Sequence, residues 1–441
     1  MKMYGAALAD HNRALDLGAG QPSLWNERGI TQRLKGELES SLSDHNRAVA
    51  LDPDNAESYY WRGYTHHEQK NYDTAIADRA RAIALDPDKG LYYRGRGVGY
   101  YARGDYDLAI ADYKRALELD PSNAEYFHML GHAYTFNGST KEAVEAYGQA
   151  QTLDPKNAEY RISLGMAFVR AGDAVAARRE LETAEASGAD TVAVHQSLGV
   201  ALRQLGDAQS ALQHFDRAIE LSPDSSVLFL NRGIALYELG LDVKARQDCD
   251  KSRELDPKSA YVLALCGQAY ARTGDKEAGL AFCEQAMSMA NTGTDGSYMQ
   301  LCRARVRWIN GDTNGARTDF DRAIALATDY PMAYLDRGRF FREQREYGPA
   351  IVDFDRAIEL APKWADPFAQ RGQAHSWAGN QDAAIADFNQ AIELRPSDSW
   401  SFRARGGSYH LKRQFDAAIL DYTRAISLND EIADYWKARG D

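Results

Sequence analysis

"AEYFHMLGHAYTFNGSTKEAVEAYGQAQTLDP", residues 124–155, decides the architecture. Phe127, Leu130 and Tyr134 in its first half, and Ala143, Tyr147 and Ala150 in its second, fall at helical spacing. Gly131 lies inside the first run, where a missing side chain lets another helix come close. Gly138 stands between the runs, where a left-handed cap ends a helix. Pro155, after Leu153 and Asp154, stops the second run. The stretch reads as two helices joined by a tight turn.

The same sentence recurs along the chain. Prolines fall at 53, 87, 121 and 155, then at 223 and 257, then at 362 and 396, with neighbours 34 residues apart. Asn291 and Thr328 hold the proline slot in between, and the longer step of 37 there is carried by "NTGTDGS" (291–297). Glycine fills one first-helix slot at 29, 63, 97, 131, 165, 199, 233, 267, 338, 372 and 406, broken only by Ala304. A mid-helix glycine costs about 1 kcal/mol, so such a register implies close helix packing. Glycine also holds most turn slots; Lys70, Arg345 and Arg413 occupy three of them, where backbone strain is expected. A fixed period of this size is the signature of a stacked helical array.

The pattern Phe127-x2-Leu130-Gly131-x2-Tyr134, then Ala143-x3-Tyr147, Ala150 and Pro155, resembles the tetratricopeptide repeat (TPR), and the likeness covers essentially the whole chain. The resemblance implies an all-α fold, a right-handed alpha-alpha superhelix of about 26 antiparallel helices. Slot counting gives twelve tandem units over 20–430, a lone second helix within 1–19 and a truncated first helix in 431–441. Repeat arrays ordinarily carry polar caps, so the reading expects a piece of a longer protein, or ends that meet something, including a second copy of the chain. The insertion at 291–297 marks a possible joint or hinge; Arg307, in a slot that elsewhere holds Tyr100 or Tyr134, lies just after it.

One slot holds a permanent charge. Arg28, Arg62, Arg96, Arg232, Arg303, Arg337, Arg371 and Arg405 occupy it, and sixteen residues later stand Asp44, Asp78, Asp112, Asp248, Asp319, Asp353, Asp387 and Asp421. The four units with Leu130, Leu164, Leu198 or Cys266 instead have Ala146, Glu180, His214 and Phe282 at the second position. Arginine and aspartate come and go together. They are read as a structural ion pair between the two helices of one repeat, with the arginine stem packing like an apolar chain.

The resemblance places partners on the concave face lined by first helices. Tyr60, Trp61 and Tyr64 lie there early in the chain, with Glu57, Glu125 and Glu159 making that part acidic. Arg305, Trp308, Arg339, Arg342, Trp377, Trp400 and Arg403 make the later part cationic and aromatic, a composition favoured in binding hot spots. The reading expects a protein or peptide partner, acidic over 300–403. Chaperone-binding members of the family clamp a carboxylate tail with lysines and asparagines, and sugar-transferase members carry an asparagine ladder; only Asn231 fits either pattern, so chaperone-tail binding is not expected and the ladder is absent.

Composition limits the remaining classes. A net charge of −12 and a pI near 5.4 speak against a nucleic-acid surface. No apolar run suits a membrane span, and the start of the chain lacks a signal core. The four cysteines, 249, 266, 283 and 302, form no CxxC; they are read as small buried hydrophobes rather than a disulfide framework or zinc site, which leans towards a cytoplasmic location. Glu125, His128 and His132 share a helical face but lack a fourth metal ligand. No phosphate loop, GxSxG or HExxH is present. The expectation is therefore no enzyme, no cofactor and no metal, but an interaction scaffold. Its alternative is the substrate-recruiting arm of a larger enzyme, for example a glycosyltransferase, or of a secretion or assembly complex.

Overall fold

The computed structural model describes residues 2–430 and 432–440, which form 26 α-helices with no strand among them. The chain divides into two compact units, Met1–Ala171 and Gly172–Asp441. The first contains ten of the described helices, ending with Ala158–Arg170; the second begins with Ala174–Ala186 and contains sixteen. Within each unit, successive helices pack as hairpins against the next hairpin.

Local chemistry sets the boundaries. Second helices stop at Leu51, Leu85, Leu119 and Leu153, directly before the Asp-Pro that cannot continue them. First helices open on side-chain caps, such as Asn55 accepting from the Ser58 N–H at 3.0 Å and Asn123 from the Tyr126 N–H at 3.2 Å. The hairpin turns adopt the left-handed conformation. Lys70, Arg345 and Arg413 hold it at φ 63°, 62° and 62°, although each carries a Cβ.

The core is a ladder of rings over glycines. Phe215, Phe320, Phe354 and Phe388 are fully buried. A Cβ on Gly199 would lie 2.5 Å from the Phe215 ring, and one on Gly338 would lie 2.6 Å from Phe354. The helices can approach only because those side chains are missing.

The eight arginines each grip their aspartate with two nitrogens, Nε and Nη2, at 2.6–2.9 Å. The structure adds a contact absent from the sequence reading. Nη1 of Arg232, Arg337 and Arg371 reaches back sixteen residues to Asp216, Asp321 and Asp355, and that of Arg28, Arg62 and Arg405 to Asn12, Asn46 and Asn389. One guanidinium therefore ties three helices, reaching the preceding hairpin as well as its own.

Most of the extra residues at 291–297 go into a longer first helix: Gly293–Ile309 has 17 residues, where most first helices have 13 or 14. Arg307 joins the ion-pair network there, with Nη1 2.9 Å from Asp319 Oδ2. One expectation needs correction: the cysteines are not free hydrophobes. Cys249 is bonded to Cys266 and Cys283 to Cys302, with Cα atoms 5.3 and 5.7 Å apart. Each bond joins the second helix of one hairpin to the first of the next, so the hairpin Ala260–Met289 is stapled on both sides. Separations of 17 and 19 residues become adjacent only once consecutive hairpins stack.

Candidate interaction groove

The second unit holds a half-open cavity of about 800 Å³. Its wall is drawn from the first helices of consecutive hairpins, Val192–Gln204, Ser226–Glu238, Ala260–Arg272, Gly293–Ile309 and Pro331–Glu343, together with turn residues. Part of the wall comes from distant turns of this unit meeting: a Cβ on Gly206 would lie 2.9 Å from the Arg395 side chain, and both residues line the cavity. Away from the cavity, Lys363 Nζ lies 3.3 Å from Asp173 Oδ2.

Of the residues expected to bind, Arg305, Trp308 and Arg339 line this cavity, and Arg342, Trp377, Trp400 and Arg403 do not. Arg305 is already satisfied: Nε lies 2.8 Å from Asp336 Oδ2, Nη2 reaches the same oxygen, and Nη1 donates to Gln268 at 3.1 Å. Desolvation works against its charge, but Asp336, Tyr298 and Tyr237 together outweigh it and hold the guanidinium protonated. Trp308 places its ring edge-on to Phe320 and Phe340, centroids 6.2 and 5.8 Å away. Arg342 is half-buried beneath the half-exposed Trp377, bonded to Gln370, and desolvation pulls its pKa down. Trp400 packs on Phe388, and Arg403 pairs with Asp434 at 2.7 Å.

Three tight pairs neutralise the cavity wall: Arg203 with Glu238 at 2.6 Å, Arg395 with Asp366 at 2.8 Å, and Arg305 with Asp336. Loss of water pushes the Glu238 carboxyl up, against the pull of Arg203. Arg339 is different. Its nearest carboxylates, on Asp336 and Asp366, stand at 3.8 and 4.0 Å, beyond hydrogen-bond reach, and a third of its side chain is exposed. It is the surplus cation of the cavity.

The aromatic wall was largely missed in the sequence. Tyr237, Tyr261, Tyr298, Tyr330 and Trp364 all line the cavity. A signal existed for two of them. Tyr330 and Trp364 occupy the helix N-cap position and make no side-chain cap there. Forgoing an N-cap hydrogen bond costs about 0.5–2 kcal/mol, so an aromatic in that place in two consecutive hairpins has another use.

In the first unit, Tyr60 is core rather than groove surface, only 3 % exposed, its ring 5.4 Å from that of Tyr92. Gly95 leaves it room: a Cβ there would lie 2.9 Å from Tyr60 Cε2. Trp61 remains half-exposed, its indole N–H donating to Glu57 at 3.0 Å, and Tyr64 lies beneath the Arg33 guanidinium at 4.3 Å. Glu125 is bonded to Arg94, and His128 Nε2 lies 2.9 Å from Ser163 Oγ, so Glu125, His128 and His132 do not converge on a common centre.

Family models described as TPR repeat match residues 31–70, 97–138 and 131–172, and models described as tetratricopeptide repeat match 163–226, 197–260, 303–365, 56–89 and 365–398. The chain belongs to the tetratricopeptide repeat family. This TPR chain is similar to a tetratricopeptide repeat protein from Parabacteroides merdae, at 17 % identity and TM-score 0.49 over 57 % of this chain and 98 % of that one. It is also similar to yeast Tom70, at 14 % identity and TM-score 0.45, covering 95 % and 94 % of the two chains. A third likeness is to a chain of the APC/C hetero-tetramer Cut9–Hcn1, at 14 % and 0.41, covering 93 % and 94 %. No curated protein matches the TPR chain. Among its described residues no helix is long and apolar enough to cross a membrane.

Proposed function

We propose that this TPR chain is a non-catalytic scaffold whose second unit receives an extended segment of a protein partner. The observation that carries the reading is the cavity: tyrosine and tryptophan walls, three internally neutralised ion pairs, and Arg339 left over. Its volume lies in the range of ligand sites that bury most of their guest. Because Arg305, Arg342 and Arg403 are bound within the protein, the chemistry favours one carboxylate at Arg339 beside an aromatic or aliphatic side chain, rather than a run of acidic residues. The paired Asp336 and Asp366 would repel a second carboxylate nearby. The cytoplasmic location pulls against the paired cysteines, since cytosolic thiols are kept reduced; the state of the four thiols in protein taken from its own cells decides that point.

Selection of displayed random peptides on the full chain tests the reading. Enriched peptides are expected to carry an aromatic residue close to an Asp, a Glu or a free C-terminus. Arg339→Glu should weaken them at least tenfold, as should Tyr298→Ala, whereas Trp377→Ala, outside the cavity lining, should not. Peptides bound equally well by Arg339→Glu and Tyr298→Ala place the binding surface elsewhere.

A further inference from the structure

We infer that Glu185, His195 and His214 form a binding site for one divalent transition-metal ion of the zinc class. The three residues stand on three helices, Ala174–Ala186, Val192–Gln204 and Ala208–Leu221, and none lines the cavity. Their ligand atoms converge. His195 Nδ1 lies 3.1 Å from His214 Nδ1, and Glu185 Oε1 lies 3.6 and 3.9 Å from the two nitrogens. With metal–nitrogen bonds of about 2.0–2.1 Å, a tetrahedral ion separates its ligand atoms by about 3.3 Å. The observed spacings straddle that value, so small rotations of the side chains would complete the site.

The surroundings fix the tautomer. His195 Nε2 lies 2.8 Å from Asp190 Oδ1, and Asp190 is itself gripped by Arg217. A carboxylate there draws the imidazole proton onto Nε2 and leaves the Nδ1 lone pair aimed at His214 and Glu185. This carboxylate–histidine pairing is the usual support of a metal-bound histidine. The place in the repeat is informative too. Leu198 and His214 stand where eight other hairpins hold arginine and aspartate, and His195 stands where Phe229 underlies Arg232 in the next hairpin. The inter-helix ion pair has been replaced by two facing imidazoles, which a cation between them would join again.

Two imidazoles and one carboxylate select zinc-class ions over calcium or magnesium, which prefer all-oxygen shells. His195 is only 5 % exposed, while Glu185 and His214 are half-buried, so the site is open at one edge. The fourth position falls to water. The competing arrangement is a proton shared between the two Nδ1 atoms, with no metal.

The test uses the full chain, untagged, with its disulfides intact and stripped with a chelator. Zinc is titrated in against a chromophoric competitor, and cobalt is added separately as a spectroscopic probe. One equivalent of zinc should bind, a cobalt spectrum of four-coordinate intensity should appear, and the melting temperature should rise. His214→Ala and Glu185→Gln, both at half-buried positions, should each weaken zinc at least tenfold while keeping the far-UV circular dichroism of the parent. Asp190→Asn should weaken it about tenfold through the orientation of His195. Absence of a bound equivalent, or an equivalent that either His214→Ala or Glu185→Gln retains at full affinity, overturns the assignment in favour of the shared proton.

Discussion

Arg232 meets Asp248 twice, Nε to Oδ2 and Nη2 to Oδ1, each at 2.7 Å, while its Nη1 reaches Asp216 at the same distance. The Asp248 side chain is 7 % exposed and that of Arg232 24 %, so the carboxylate is the member with no recourse to water. Removing the arginine alone strands a buried charge, at a cost of roughly 3–5 kcal/mol. Arg232→Leu should therefore be the more damaging single change, and Asp248→Ala milder because Arg232 keeps Asp216. The double variant should recover part of the loss, with coupling of about 0.5–3 kcal/mol in a urea-denaturation cycle. Strictly additive losses would show that the two side chains act separately.

The disulfides give a second expectation. Cross-links closing loops of 17 and 19 residues should each stabilise by about 3 kcal/mol. Intact protein denatured without reductant should take up no alkylating reagent; after reduction it should take up four equivalents. Reductant should lower the melting temperature, and Cys283→Ala/Cys302→Ala should reproduce about half of that shift. Four alkylated thiols before reduction would refute the pairing.

Acid should loosen the first unit through His45. This imidazole is fully buried and its Nδ1 lies 3.2 Å from Asn26 Oδ1. Burial pushes its pKa down to about 3, with Arg33 and Arg62 adding to the effect. The folded value lies below the unfolded one near 6.5, so the unfolded chain takes up the proton first. Stability is whole above about pH 6.5 and falls as pH drops towards 3, by at most about 1.4 kcal/mol per pH unit for this one proton. His128, pushed down to about 4 by burial and His132, adds a similar slope. In His45→Phe, whose ring suits a slot held elsewhere by Tyr113 and Phe215, the urea midpoint should fall less steeply between pH 6.5 and 5 than in the parent. Identical slopes would exclude His45 as a source.

A side chain at Gly206 should cost stability and displace Arg395. The glycine's φ is +78°, and a Cβ would meet the Arg395 side chain at 2.9 Å. Gly206→Ala combines a left-handed backbone cost of about 1–2 kcal/mol with displacement of Arg395, which holds Asp366. Weaker peptide binding in the cavity and a lower melting temperature should appear together. Gly104→Ala, at φ +91° with nothing within 4 Å, should lower stability alone.

The amino-acid sequence by itself determined the helices, their hairpin turns and the small-residue slots where they touch. It also exposed the arginine–aspartate register. All of these repeat with the period of one hairpin, and a local period can be read along a chain. Three of the seven later groove residues, Arg305, Trp308 and Arg339, share one cavity wall because they stand at repeating first-helix positions. What only the tertiary structure decided are contacts with no such period. Asp336 neutralises Arg305, Cys283 finds Cys302, and Glu185 approaches His195 and His214 because side chains from neighbouring hairpins are brought face to face by stacking. The cavity draws on still longer reach, its wall bringing the Arg395 side chain against Gly206. That contact is set by small rotations accumulated over many hairpins, and no single repeat encodes their sum.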